Sequence, residues 1–216
     1  MNQLWEIRKK VVETGIEILS TKLTVGTWGN ISCRVSGEDC IAITPTGMSY
    51  DSLVPEDVVL LDLSGKTING ARKPSIEVPL HLAIYNARED VQAIVHTHSV
   101  YATAMAVARR DIPGAIEDLV QIVGGNVRVN EYALPGTKQL GINTVKALEG
   151  RNAVLLANHG MLGVGRDLQE ALKVCQIVEK SAQIVLFSQF IGGVVELSQD
   201  DIDGMRKFYH EVYGQR

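Results

Sequence analysis

The chain predicts an α/β fold, one domain with helices on both faces of a mixed sheet. Three observations lead there. Short apolar runs that read as buried strands alternate with 3.6-residue apolar periods through the middle of the chain. An N-terminal pair of strands, joined by a short polar turn, adds antiparallel content. No repeat, low-complexity tract or linker divides the 216 residues, a length that suits one sizeable domain over 1–216.

The elements follow in order. Leu4, Ile7, Val11 and Ile18 fall near one face of an opening helix that ends near Ser20 to Lys22, with Gly15 inside it at modest cost. VGTWGNIS is a glycine-rich turn entering a strand. ISCRV and CIAIT form a hairpin that turns at Ser36-Gly37-Glu38-Asp39. TPTGMSYDSLVPED is a long polar connection, VVLLDL a strand, and DLSGKTINGARKPS a turn-rich return. Ile76 to Asn86 reads as a helix, with Pro79 tolerated in its first turn. Ala93 to His98 is a buried strand and Val100 to Ala108 a helix. AIEDLVQIV is a short helix before Gly124, and NVRVNEYAL a short edge-like piece. Thr137 can cap a helix through Leu148. Ala153 to Ala157 is an apolar strand ending in Asn158 and His159. Leu168 to Phe190 is the longest helical pattern, and it suits either internal packing or a subunit contact. Ser198 stands three residues before Asp201, a capping spacing for the last helix.

Composition excludes several classes. Apolar residues are 45% of the chain, enough for a core, yet no apolar run reaches the roughly 18 residues of a membrane span. The formal net charge is -4, and no basic tract or aromatic-basic interleaving marks a nucleic-acid surface. Cys33, Cys40 and Cys175 show no close metal spacing and fit packing roles in a reducing compartment. MNQLWEIRKK lacks a signal peptide's apolar centre. A soluble, cytoplasmic protein with neither membrane nor nucleic acid as partner is the expectation.

The chemistry centres on IVHTHS. Side chains alternate along a strand, so His96 and His98 point the same way. Two neutral imidazoles on one face, with a third ligand from elsewhere, suit a borderline divalent ion. Alone, the pair is equally a hydrogen-bonded couple in a polar crevice. His159 also follows a predicted strand, and ends of strands in α/β sheets collect sites. Three glycine-rich or hydroxyl-rich turns are separate candidates: GTWGNIS with Asn30, TPTGMS with Thr46 and Gly47, and KPSIE with Ser75 at a helix start. Hydroxyls, backbone amides and a helix N-terminus are what a phosphate monoester needs, although any one such turn is more often only a turn. No dinucleotide or P-loop pattern is present. Glu77 reads either as a carboxylate paired with its helix dipole or as a metal ligand or base. His81, four residues on, shares its face and can orient the carboxylate or bind metal.

GTWGNIS, ITPTG, KPSIE, VHTHS and NHG, in that order from Gly26 to Gly160, resemble the class II aldolase family, which takes in fuculose-phosphate aldolases, ribulose-phosphate 4-epimerases and methylthioribulose-phosphate dehydratases. The helical flanks extend the match to nearly the whole chain. The resemblance implies a single three-layer α/β/α domain with a central, largely antiparallel mixed sheet, and a homotetramer with sites at subunit interfaces. It implies Zn²⁺, with Mn²⁺ or Co²⁺ as other divalent choices, held by His96, His98 and His159. Glu77 would be a fourth ligand or an acid/base that leaves the metal. Asn30, Thr46, Gly47 and Ser75 would cradle the phosphate of a phosphorylated ketose. Where the fuculose-phosphate pattern has a second serine, this chain has Ile76. Where that aldolase has a tyrosine before the Gly124-Gly125 pair, this chain has Glu117 and Asp118, carboxylates like those of the dehydratase and epimerase branches. Tyr213, in EVYG, matches a C-terminal tyrosine that closes the neighbouring site.

The activity so implied is metal-dependent cleavage of a ketose 1-phosphate, L-fuculose 1-phosphate-like or a deoxypentulose phosphate, to dihydroxyacetone phosphate and an aldehyde through an enediolate. Glu77 would move the carbon-bound proton, and Glu117, Asp118 or Tyr213 the aldehyde's oxygen-bound one. Dehydration or 4-epimerisation from the same intermediate is the alternative chemistry, and a non-catalytic metal-binding module the alternative class.

Overall fold

The computed structural model describes residues 3–212. Eight strands form one sheet in the order β4-β3-β2-β1-β5-β8-β7-β6. They are β1 (Asn30–Arg34), β2 (Cys40–Ile43), β3 (Val59–Asp62), β4 (Thr67–Asn69), β5 (Ala93–Thr97), β6 (Arg128–Val129), β7 (Ala153–Leu156) and β8 (Gly160–Gly165). Every neighbouring pair is antiparallel except β6 with β7 at the edge. Seven helices cover the faces: α1 (Gln3–Ser20), α2 (Val78–Ala87), α3 (Val100–Val107), α4 (Glu117–Val123), α5 (Lys138–Leu148), α6 (Leu168–Ser188) and α7 (Gln199–Glu211). The three-layer α/β/α arrangement and the mixed, mostly antiparallel sheet are as the sequence implies.

Strand alternation builds two cores. Ala93 and Val95 of β5, with Ala153 and Leu155 of β7, pack on the layer that holds α1, α3, α4 and α6. Ile94, Val154 and Leu156 face the other way, onto α2 and α5. On β1 the same alternation sends Ile31 and Cys33 to the first layer. It leaves Asn30 and Ser32, both buried, on the α2 side. A polar pair thus enters an otherwise apolar layer, at the strand that runs beside β5. Asn30 pairs directly with His96 across that ladder.

The predicted hairpin closes as expected, with Val35 N–H donating to Cys40 O at 3.0 Å and Gly37 at φ 79° in its turn. The Thr137 hydroxyl accepts from Leu140 N–H, and Ser198 accepts from Asp201 N–H, so both expected caps form. One helix start and two strands differ most from the sequence reading. α2 begins at Val78 rather than Ile76, with Pro79 in its first turn, and Glu77 occupies the N-cap position. The turn-rich return contains the short, exposed edge strand β4. After His159 the chain makes β8, a strand that carries three glycines, Gly160, Gly163 and Gly165. Glycine depresses strand propensity, which hides this element from pattern reading. Its glycines are required by contact: a Cβ on Gly163 would lie 2.8 Å from Ala171 O and 2.9 Å from Cys175 Sγ of α6. Among the described residues no helix is long and apolar enough to cross a membrane.

Candidate active site

The end of β5 and the β7–β8 hairpin bring the three histidines together. Asn158 turns that hairpin at φ 54°, a left-handed conformation asparagine tolerates, and its side chain accepts from the Arg109 guanidinium. Asn130 holds the entry: its Oδ1 accepts from Ala157 N–H at 2.9 Å and its amide donates to Thr144 Oγ1 at 3.0 Å. On the other side, Glu179 of α6 accepts from the backbone amides of Tyr101 and Ala102 at 3.0 and 2.8 Å. These are orphan donors of α3's first turn, so a carboxylate from a neighbouring helix fixes the corner that follows His98.

The ligand atoms of His96, His98 and His159 lie within 4.8 Å of one another. His96 Nε2 is 3.0 Å from His98 Nε2 and 3.3 Å from His159 Nε2. Glu77 joins them, with Oε2 3.2 Å from His96 Nε2 and Oε1 3.6 Å from His159 Nε2. These separations match the edge of a tetrahedron, about 3.3 Å, for an ion with metal–nitrogen bonds near 2.0–2.1 Å. His96 Nδ1 donates to Met161 O at 2.8 Å, which leaves the Nε2 lone pair facing the cluster. Glu77 Oε1 is buried and makes no hydrogen bond. A buried carboxylate oxygen without a donor, beside three converging ring nitrogens, fits a cation. Burial, with the neighbouring ring of His159, holds His96 well below the usual imidazole range. Burial also pushes His98 down to about 3 and depresses His159. The three rings are therefore neutral near pH 7, the state a metal ion needs.

A pocket of about 320 Å³ opens beside the cluster. Asn30, Thr46, Gly47, Ser75, Glu77, His98 and His159, all singled out in the sequence, line it together. The two loops that supply the hydroxyls are stitched to each other: Thr46 N–H donates to Lys73 O at 3.0 Å and Ser75 N–H to Thr44 O at 3.1 Å. Ser75 Oγ accepts from Glu77 N–H at 3.2 Å, which leaves its O–H to point elsewhere. Thr27, Trp28, Gly29, Pro45, Ile76 and Pro135 complete the lining; Trp28 lies within GTWGNIS, where sequence reasoning assigned it no role, and no motif marked Pro135. Trp28 and Ile76 are largely exposed.

Two predicted residues sit apart from this pocket within one chain. Glu117 and Asp118 open α4, and Asp118 pairs with Lys180 of α6. Neither lines the pocket. Tyr213 lies outside the described residues. His81 binds no metal: it is fully buried and hydrogen-bonded at both ring nitrogens, to Ser32 and Asn30. Asn30 is also more engaged than its motif implies, since its amide donates to Glu77 Oε2 at 2.7 Å. Met161 O and Glu179 act through backbone geometry or from a distant helix, and no local motif marks either.

Residues 9–186 match the family model described as the class II aldolase and adducin N-terminal domain. The chain belongs to the class II aldolase superfamily. It is 40% identical over 209 residues to the 5-deoxy-D-ribulose 1-phosphate aldolase of Bacillus thuringiensis serovar kurstaki, covering 97% of each chain. It is 34% identical over 212 residues to the L-fuculose phosphate aldolase of Escherichia coli, covering 98% of this chain and 97% of that one. A solved L-fuculose 1-phosphate aldolase superposes with a TM-score of 0.92 at 36% identity, over 95% of this chain and 96% of that one. With the histidine triad, this kinship supports a metal-dependent lyase.

Proposed function

We propose that this chain is a zinc-dependent aldolase that cleaves a ketose 1-phosphate to dihydroxyacetone phosphate and an aldehyde. A deoxypentulose phosphate such as 5-deoxy-D-ribulose 1-phosphate is the first substrate to test. One observation carries the reading: three neutral imidazoles and a buried carboxylate converge beside a pocket lined by Ser75, Thr46 and Gly47. Nitrogen donors at near-tetrahedral spacing favour Zn²⁺, with Mn²⁺ or Co²⁺ as substitutes. When bound, the ion supplies Lewis acidity for negative charge that develops on substrate oxygens.

The residues divide the remaining work. Ser75 donates its free hydroxyl proton to a phosphate oxygen, and Asn30, Thr46 and Gly47 complete that end. Ile76 withholds the second serine hydroxyl of the fuculose-phosphate pattern and presents an apolar side chain instead, which argues against L-fuculose 1-phosphate as the preferred substrate. In cleavage the bond between the third and fourth carbons breaks. The hydroxyl proton on the fourth carbon passes to a second acid/base, and that carbon becomes the aldehyde. The electron pair left on the third carbon takes a proton from Glu77, completing dihydroxyacetone phosphate. In synthesis Glu77 removes that proton. Glu117, Asp118 or Tyr213 is the second group, reached across a subunit contact in a homotetramer. Exposed Phe187, Phe190, Ile191 and Val195, at and beyond the end of α6, support such a contact. Three free, buried thiols support a cytoplasmic setting.

The test is a product screen of the zinc-loaded protein against several ketose 1-phosphates, run in both directions. Dihydroxyacetone phosphate should appear from 5-deoxy-D-ribulose 1-phosphate and disappear on chelation. The acidic pair Glu117 and Asp118 favours a second reading, sugar-phosphate dehydratase or 4-epimerase. Water loss or inversion without release of dihydroxyacetone phosphate would select it.

A further inference from the structure

Asn30 and Ser32 stand on the α2 side of β1, where their surroundings are apolar and unpaired polar groups are costly. α2 directs His81 and Tyr85, one turn apart, onto them. The four side chains are all at most 5% exposed. They form a continuous chain: Tyr85 Oη lies 2.8 Å from Ser32 Oγ, Ser32 Oγ 2.6 Å from His81 Nδ1, and His81 Nε2 2.5 Å from Asn30 Oδ1. Asn30 Nδ2 then donates to Glu77 Oε2 at 2.7 Å.

Each proton can be assigned by working back from the carboxylate. The amide nitrogen of Asn30 faces the Glu77 carboxylate as its donor, and the amide oxygen faces His81. That oxygen only accepts, so His81 carries its proton on Nε2. The neutral ring then accepts at Nδ1, and the Ser32 hydroxyl must donate to it. With its one proton committed, Ser32 can only accept from Tyr85. Every bond in the chain points toward Glu77.

We propose that Tyr85, Ser32 and His81 are positioning residues that lock one tautomer of His81, and through it one orientation of the Asn30 amide, so that Glu77 is held aimed at the histidine cluster. The alternative tautomer would invert the Asn30 amide and set its carbonyl oxygen against the carboxylate, two acceptors face to face. The chain therefore does more than satisfy buried groups, and its direction decides whether Glu77 has a donor. The role of Asn30 changes with it. Both ends of its amide are engaged in the chain, and only its second amide hydrogen remains for substrate. This inference rests on the reading of Glu77 as the acid/base.

Two measurements test it. Nitrogen-15 imidazole spectra of the zinc-loaded protein should show His81 protonated at Nε2 and bare at Nδ1. The opposite tautomer, or a doubly protonated ring, would overturn the proposal. Ser32→Ala removes the donor that fixes Nδ1, and Tyr85→Phe removes the far end of the chain at constant shape. Ser32→Ala should lower kcat about tenfold or more, the range of lost outer-shell partners, with KM and zinc content near wild type. Tyr85→Phe should act the same way more weakly. If both variants only melt earlier, at unchanged kcat, the chain is structural and the proposal fails. Should Ser32→Ala not fold, Tyr85→Phe and the wild-type tautomer still decide. Glu77→Gln assayed in parallel separates the two levels: normal kcat there removes the acid/base reading, while the spectra still decide the tautomer.

Discussion

Glu77 sits at the α2 N-cap but caps nothing with its side chain. One oxygen takes the Asn30 amide and the other has no hydrogen bond. A helix-dipole role alone would make Glu77→Gln a matter of roughly 0.3–1 kcal/mol of stability. A positioned proton-transfer group predicts instead a fall in kcat of about 10²-fold or more. Zinc should be retained and binding of the phosphate end should change little. Steady-state kinetics and metal analysis on one preparation distinguish these outcomes. The double change His96→Ala, His98→Ala should abolish metal retention after extensive dialysis, and full zinc occupancy in that variant would sink the triad. The same burial makes a pH prediction. It pushes His81 down to about 4 and His98 to about 3, whereas the unfolded chain holds these rings near 6.5. Between those values the unfolded state binds more protons, so folding weakens as the pH falls from about 6.5 toward 4 and levels off above 6.5. Thermal unfolding of metal-free protein across that range should show Tm dropping on acidification. A flat or rising Tm would contradict neutral, buried rings.

At the scale of elements, β8 is where local sequence and tertiary structure part. Gly163 faces the backbone and thiol of α6 at distances no Cβ can share, and α6 packs against both β8 and β5. Gly163→Ala should cost about 1–3 kcal/mol, as overpacked cores do. Urea unfolding reads that loss, and a neutral effect would mean α6 can shift freely. Because β8 closes the hairpin that holds His159, zinc retention should fall along with stability. Glycine lowers strand propensity and carries no side chain to mark a face, so a strand chosen for helix clearance looks like a loop. Periodicity and capping residues made β5, β7, α5, α6 and α7 legible, because their signals are local. The triad was legible for a related reason: two of its histidines share a strand face and the third ends a strand. The Asn30, Ser32, His81 and Tyr85 chain was not. It joins residues about 50 positions apart, and only the β1–α2 packing brings them together. Glu179 was hidden likewise, since it looks like any charged residue of a long helix until α3 docks on it.

At the scale of the molecule, the pocket is lined by Glu77, His98, His159 and the hydroxyl loops but lacks a second acid/base from the described residues of the same chain. Glu117 and Asp118 stand on α4, and Asp118 is engaged with Lys180. If the second group comes from a neighbouring subunit, the protein should sediment as a homotetramer at micromolar concentration, and a monomer would contradict shared sites. Subunit mixing makes a sharper test. Glu117→Gln, Asp118→Asn and Tyr213→Phe are made singly, and the one that lowers kcat most is co-refolded with Glu77→Gln. Each parent assembly lacks one proton-transfer group at every site. In a randomly mixed oligomer, some sites pair an intact Glu77 with an intact neighbour. With equal amounts and a donor supplied by one defined neighbour, about one quarter of the sites should recover. Recovery near that fraction places the second group across the interface. No recovery, in mixtures shown to have exchanged subunits, would put both proton-transfer groups on one chain. In that case α4 or the C-terminal segment must reach the pocket by folding over its own subunit.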